Sequence, residues 1–318
     1  MWMKTLAAMG MMGCLMVNGC AALQTASAAA APADVAGVGQ QVFDTDDAAA
    51  QAVVAAAKAR DQAQIEAIFG PATKELLSGD KVEDDKAFNS FVTHAGEKTV
   101  LEKKDANTSV LDIGADGWPF PIPLVRRGDG KWFFDTEAGK AEILARRIGA
   151  NELETIKVCH AYVEAQREYA SEDRDGSGVL KYAQHFLSHP GRKDGLYWDA
   201  APGQETSPFG PLVAQATLEG YNVGHGDAPH SYRGYYYHIL TRQGASAPGG
   251  DYNYVINGNM IAGFAMVACP DVYGQSGIMT FMVSHSGKVF QKDLGPDSLN
   301  IVRRMHQYNP DTTWTEVK

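Results

Sequence analysis

The chain has 318 residues, 45% hydrophobic and 21% charged, with a formal net charge of -10. This length and apolar content suit two ordinary domains with buried cores. The acidic balance argues against nucleic acid as a partner and against an electrostatic hold on anionic lipid, because both need a basic face.

Residues 1–28 read as a targeting segment. Lys4 supplies a positive start, and Thr5 to Val17 form an apolar run too short for a transmembrane span. Two processing sites follow. Ala26-Ser27-Ala28 is a small-residue cleavage site. Val17-Asn18-Gly19-Cys20 resembles a bacterial lipobox, with Asn18 larger than usual for its place, and makes Cys20 the lipidation candidate. Lipidation at Cys20 is favoured over plain secretion, so the expected location is the periplasm or a lipid-anchored place on the outer membrane, with secretion as the alternative. Residues 29–43 continue an Ala-rich run and read as a flexible linker.

Residues 44–149 carry the signals of a first α+β domain. Helices are predicted over Asp46 to Arg60, from the Asp61/Gln64 capping box to Gly70-Pro71, and over Val82 to His94. Strands are predicted over Thr99 to Lys104, Thr108 to Ile113, Phe120 to Arg127 and Lys131 to Phe134, the last two flanking the Gly128-Asp129-Gly130 turn. A helix from Thr136 to Arg147, stopping at Gly149, ends the domain. Trp118, Trp132, Phe133 and Phe134 read either as pocket lining or as plain core. His94 reads as surface and Asp135 as a helix N-terminal residue.

Residues 150–318 form the second predicted domain. Asn151 and Glu154 look like a new N-cap, opening a helix to Ser171 with Cys159 on its inner stripe. Asp173 and Asp175 precede Gly176 as in a calcium loop, but Ser171 and Tyr182 fall where EF-hand ligands belong, so the choice lies between an irregular calcium site and a solvated turn. A short helix is expected over Leu212 to Glu219. Strands alternate with Gly, Pro, Asn and Ser clusters from Gly234 to Pro296, the pattern of an antiparallel meander. The expected class is therefore α+β, with helices packed on an antiparallel sheet in each domain.

Sites are sparse. Cys159 and Cys269 either form a disulfide or are buried small hydrophobes. His225, Asp227 and His230 precede His238 in the first meander strand and are the best catalytic or metal candidates, but their spacing fits no metal motif. No Gly-x-Ser-x-Gly elbow and no cofactor motif is found. In the strand at 235–237, Tyr235 and Tyr237 share one face, either an aromatic platform or core. The long loops Pro190 to Ser207 and Arg242 to Asp251 are binding candidates, with Trp198 the first surface residue to mutate.

Three resemblances add to this reading. AKARDQAQIEAIFG and PLVRRGDGKWFFDT give the first domain a pattern that resembles NTF2-like or cystatin-like domains. GYYYHIL, FAMVACP and SGIMTFMVSHSGKVF after a long helix resemble the head of type IV pilins and pseudopilins, without the apolar stem that allows polymerisation. WFFDTEAGKAEILARRIGANELETI, SPFGPLVAQA, NGNMIAGFAMVACP and YNPDTTW resemble an uncharacterised family of exported bacterial proteins, a resemblance that implies export and supplies no mechanism. The expectation is a non-enzymatic envelope protein binding an envelope protein or glycan. The alternative is an extracytoplasmic hydrolase acting on cell-wall or polysaccharide material.

Overall fold

The computed structural model describes residues 39–201, 203–219 and 231–318. It is a mixed α+β structure with two compact units, one running through Ile143 and the other comprising Leu144–Lys318 together with Asp80–Glu83.

The first unit opens with α1 (Asp46–Ala59), capped by Thr45, whose hydroxyl accepts from the Ala48 amide at 3.1 Å. Arg60 ends it in the left-handed region. Asp61 caps α2 (Gln62–Phe69) as its spacing predicts. A 3-10 turn (Pro71–Leu76), for which the sequence carries no recognised signal, leads on to α3 (Lys81–Glu97). The sheet comprises β1 (Thr99–Lys103), β2 (Thr108–Ile113), β3 (Trp118–Pro119), β4 (Leu124–Arg126) and β5 (Trp132–Phe134), paired antiparallel in the order β1-β2-β4-β5 with β3 on β2. Alternation in β2 buries Ser109, Leu111 and Ile113 against Ala49, Val53, Ile68 and Phe69. A polar pair enters this interior: Ser109 donates to the Asp46 carboxylate at 2.7 Å. Trp132, Phe133 and Phe134 are buried core and Trp118 is exposed, so the four do not line a common pocket.

The helix break expected at Gly149 is absent. A single helix, α4 (Thr136–Tyr169), begins under the Asp135 cap, whose carboxylate accepts from the Ala138 amide, and runs through Gly149 and Asn151. A helical Gly costs only about 1 kcal/mol relative to Ala. Of the two residues that resembled a cap, Glu154 pairs with Lys157 within the helix, and Asn151, like its neighbour Glu152, has tertiary partners instead. Asn151 donates to the Ser276 carbonyl at 2.9 Å, and the Glu152 carboxylate accepts from the Ile278 and Met279 amides, both at 3.0 Å.

The second unit follows with β6 (His185–Leu187), β7 (Gly195–Tyr197), α5 (Gly210–Glu219), β8 (Ser231–Tyr232), β9 (Tyr235–Leu240) and β10 (Arg242–Gln243). Then come β11 (Tyr252–Asn253), β12 (Val255–Ile256), β13 (Asn259–Met260), β14 (Ala265–Pro270), β15 (Met279–Ser284), β16 (Val289–Asp293), α6 (Ser298–Arg303), β17 (Gln307–Tyr308) and β18 (Thr315–Glu316). The main sheet is an antiparallel six-stranded array in the order β18-β16-β15-β14-β9-β8. Its central strand β14 is buried along its whole length, which explains a run, AMVACP, with no polar alternation.

Helix α4 packs on this sheet through Val158, Cys159, Tyr162 and Val163. Tyr162 donates to the Ala265 carbonyl at 3.1 Å and accepts from Gln166. Gln166, fully buried, also grips the backbone of Ala183: its amide donates to the Ala183 carbonyl and its oxygen accepts from the Ala183 N–H, each at 2.8 Å. Replacing Gln166 with Leu leaves two buried backbone groups without partners, and should lower unfolding free energy by about 2–4 kcal/mol. A urea titration measures this, and a loss below about 1 kcal/mol would contradict the clamp's importance.

Candidate functional site

The candidate binding residues divide sharply by burial. Tyr235 and Tyr237 are 0% and 7% exposed. The Tyr235 hydroxyl donates to the Met279 carbonyl at 2.9 Å, and the Tyr237 hydroxyl lies 3.4 Å from that of Thr155. Burial pushes both phenols far above their ordinary pKa. They are core residues between β9 and α4, which corrects the reading of an exposed aromatic platform. Gly277 shows how tight this is, because any Cβ there would collide with the Tyr235 ring.

Cys159 and Cys269 are free thiols rather than a disulfide, both buried and both pushed up to about 12 by burial. Thiols in that state are poor nucleophiles. Asp173 and Asp175, the calcium alternative, sit in a turn that bonds its own carboxylates. Asp173 accepts from the Ser177 and Gly178 amides at 3.1 and 2.7 Å. Asp175 pairs with Lys181 at 2.6 Å and is lowered to about 2 chiefly by that bond. The turn's own donors occupy both carboxylates. No group of three or more His, Cys, Asp or Glu arranged for a metal occurs among the described residues.

Cys20, His225, Asp227 and His230 lie outside the described residues. His238 is half-buried on the face of β9 opposite Tyr237, with ring neighbours Tyr236 and His306 at 6.4 and 6.3 Å. Its Nε2 has no hydrogen-bond partner among the described residues. Burial, reinforced by His306, lowers its pKa.

The structure instead assembles a cleft from the loop that the sequence marked at Trp198. Ser188, His189, Arg192, Lys193, Tyr197, Trp198, Asp199 and Gln204 line a cavity of about 430 Å³. Its frame is two short strands, β6 and β7, paired in parallel through His185–Gly195 and Leu187–Tyr197. The approach is so close that a Cβ on Gly195 would lie 2.6 Å from the Leu187 carbonyl carbon. The residues between the strands turn back under a clamp: Asp194 accepts from the His189 amide at 2.9 Å and meets His189 Nδ1 at 3.0 Å. Burial works to raise the Asp194 carboxyl, but the bonds from His189 outweigh it and leave it below its ordinary pKa.

Trp198, read from the sequence as a surface residue, is buried, only 8% exposed, and is fixed from several sides. Its indole N–H donates to the Glu205 carbonyl at 3.2 Å. Lys193 Nζ lies 5.2 Å from the ring centroid, and the Arg174 guanidinium 5.7 Å. Arg174 also pairs with Glu205 and donates to the Glu168 and Tyr169 carbonyls at the end of α4. The Tyr169 hydroxyl donates to the Lys193 carbonyl at 2.6 Å. The cleft thus rests on the helix terminus.

Tyr197 donates to Asp199 at 2.7 Å, and that bond, with burial, pushes the phenol up to about 12. The remaining polar groups, on Arg192, Lys193, Asp199 and Gln204, offer donors and acceptors for a polar ligand. Ser188 is not positioned as a nucleophile, because its hydroxyl bonds both the amide and the carbonyl of Gly195. The His189–Asp194 pair went unrecognised in the sequence; its only trace is a His and an Asp bracketing Pro190-Gly191.

Residues 40–317 match a family described as "Protein of unknown function (DUF2950)". No curated protein and no solved structure matches the chain, so the NTF2-like and pilin-head resemblances gain no support.

The lowered His238 pKa has a definite sign. The unfolded imidazole takes its proton near pH 6.5, whereas the folded one resists until lower pH, so stability falls as pH drops through that window. The urea midpoint should fall between pH 7.5 and 5.5, and fall less in His238→Phe; equal pH dependence in the two proteins would refute the assignment.

Proposed function

Since the chain belongs to the DUF2950 family, whose description names no activity, we propose a function from its own residues: an exported cell-envelope protein that acts as a non-enzymatic binding module, with the cleft at residues 188–204 as its binding site. The single observation that carries this reading is the braced cleft of about 430 Å³, which combines an anchored Trp198 with unlike polar groups in one concavity. A volume of that order suits a small ligand or a few sugar rings better than a protein surface. The partner is therefore read as an envelope glycan.

Export rests on residues 1–28 and tethering on Cys20, followed by an Ala-rich spacer that would hold the folded part away from the bilayer. Among the described residues no helix is long and apolar enough to cross a membrane. Palmitate labelling in a bacterial host should mark the protein and disappear in Cys20→Ser; labelling that persists in the variant would remove the anchor.

A second reading, a hydrolase, is favoured by one observation, the His189–Asp194 pair at 3.0 Å beside the cleft. Hydrogen exchange of the protein with solubilised envelope polysaccharide tests both. Binding at the site should slow exchange within residues 188–204 and release no new reducing ends. Unchanged exchange there would overturn the site. Reducing ends that vanish with His189→Ala would establish the hydrolase instead.

A further inference from the structure

We propose that this cleft takes an acidic saccharide, a short sugar chain bearing a carboxylate, an inference that rests on the cleft being the binding site. The argument starts from what the aromatic residues leave available. Neutral sugars are held largely by stacking on an open aromatic face. Trp198 offers little such face, being 8% exposed with Lys193 and Arg174 set over its ring. Tyr197 has its hydroxyl bound to Asp199. Recognition here is polar.

The polar groups differ in how fully they are engaged. Arg174 and Lys193 both pair with Glu205, so each cation held against the indole already has a carboxylate partner. Arg192 is in another state. It stands at the turn between β6 and β7 with its side chain 73% exposed. Its contact with Asp194 is long, at 3.9 Å, and that carboxylate already meets the amide and ring of His189 at 2.9 and 3.0 Å. The guanidinium fork thus remains open to a carboxylate from solvent, the planar anion it matches with two parallel hydrogen bonds. Lys193, the next residue, lines the same cleft but is already paired with Glu205 at 2.6 Å. Asp199 and Gln204, which also line the cleft, present acceptors and donors of the kind that sugar hydroxyls require.

Isothermal titration of the purified full-length protein with digalacturonate, and with cellobiose as the neutral disaccharide, tests the proposal. Digalacturonate should bind at least about tenfold more tightly than cellobiose. Arg192→Ala should remove that preference, and Arg192→Lys should restore part of it, since the charge returns without the fork. Arg192 is exposed, so unchanged thermal unfolding of the variant will show that folding is intact. Equal affinity for the two sugars, no digalacturonate binding, or an Arg192→Ala variant that keeps the preference each overturns the acidic ligand. If exchange at residues 188–204 still slows with envelope polysaccharide, the binding-module reading survives that failure; if it does not, both fall.

Discussion

In the second unit a side-chain amide takes the place of a peptide group. Gln166 sits fully buried in α4 and hydrogen-bonds both the N–H and the C=O of Ala183, the reciprocal exchange that a neighbouring strand would make. The next residue back, Tyr182, is held through its amide by the Met260 carbonyl. Through Tyr162 the same Gln reaches the Ala265 carbonyl in β14. One hydrogen-bonded path therefore runs from the sheet, through the helix, to the segment that enters β6 and the cleft. Each member is desolvated, so a break leaves partners that water cannot reach, which is why such networks hold their geometry closely.

Sheet and cleft use the C-terminal half of α4 differently. Val158, Cys159 and Val163 pack by shape alone. Beyond Tyr169 the helix exposes carbonyls that lack intrahelical partners, and Arg174 returns to cover two of them. Because the same guanidinium faces Trp198 and Glu205, the end of the helix and the wall of the cleft share one cation. Electrostatics that would otherwise be a capping detail thereby positions an aromatic side chain.

What the sequence revealed follows from the range of the interactions involved. Thr45, Asp61 and Asp135 act on amides three residues away, so the starts of α1, α2 and α4 were legible from neighbours. The Asn257-Gly258 turn and the strands of the meander were legible for the same reason, with Asn257 and Gly258 both at positive φ. The continuous α4 was not. Asn151 and Glu154 looked like local capping groups, whereas Asn151 and its neighbour Glu152 have their partners at Ser276, Ile278 and Met279, more than a hundred positions away. Trp198 and its loop drew notice as an aromatic residue in a long connection, but the clamp of His189 on Asp194 depends on a chain reversal that spacing alone does not encode. Tyr235 and Tyr237 show the converse: a strand exposes which residues share a face, and only the packing of α4 says which face is covered.

The close pass of Gly195 against Leu187 and Ser188 is a contact of backbone with backbone. The cleft's frame is accordingly written in main-chain geometry and one absent side chain, while Arg192, Asp199 and Gln204 on its rim carry no part of that frame. Frame and rim are thus separable variables. Rim residues can be exchanged at little cost in folding, whereas any residue larger than glycine at 195 would force the two strands apart and undo the cleft's frame itself.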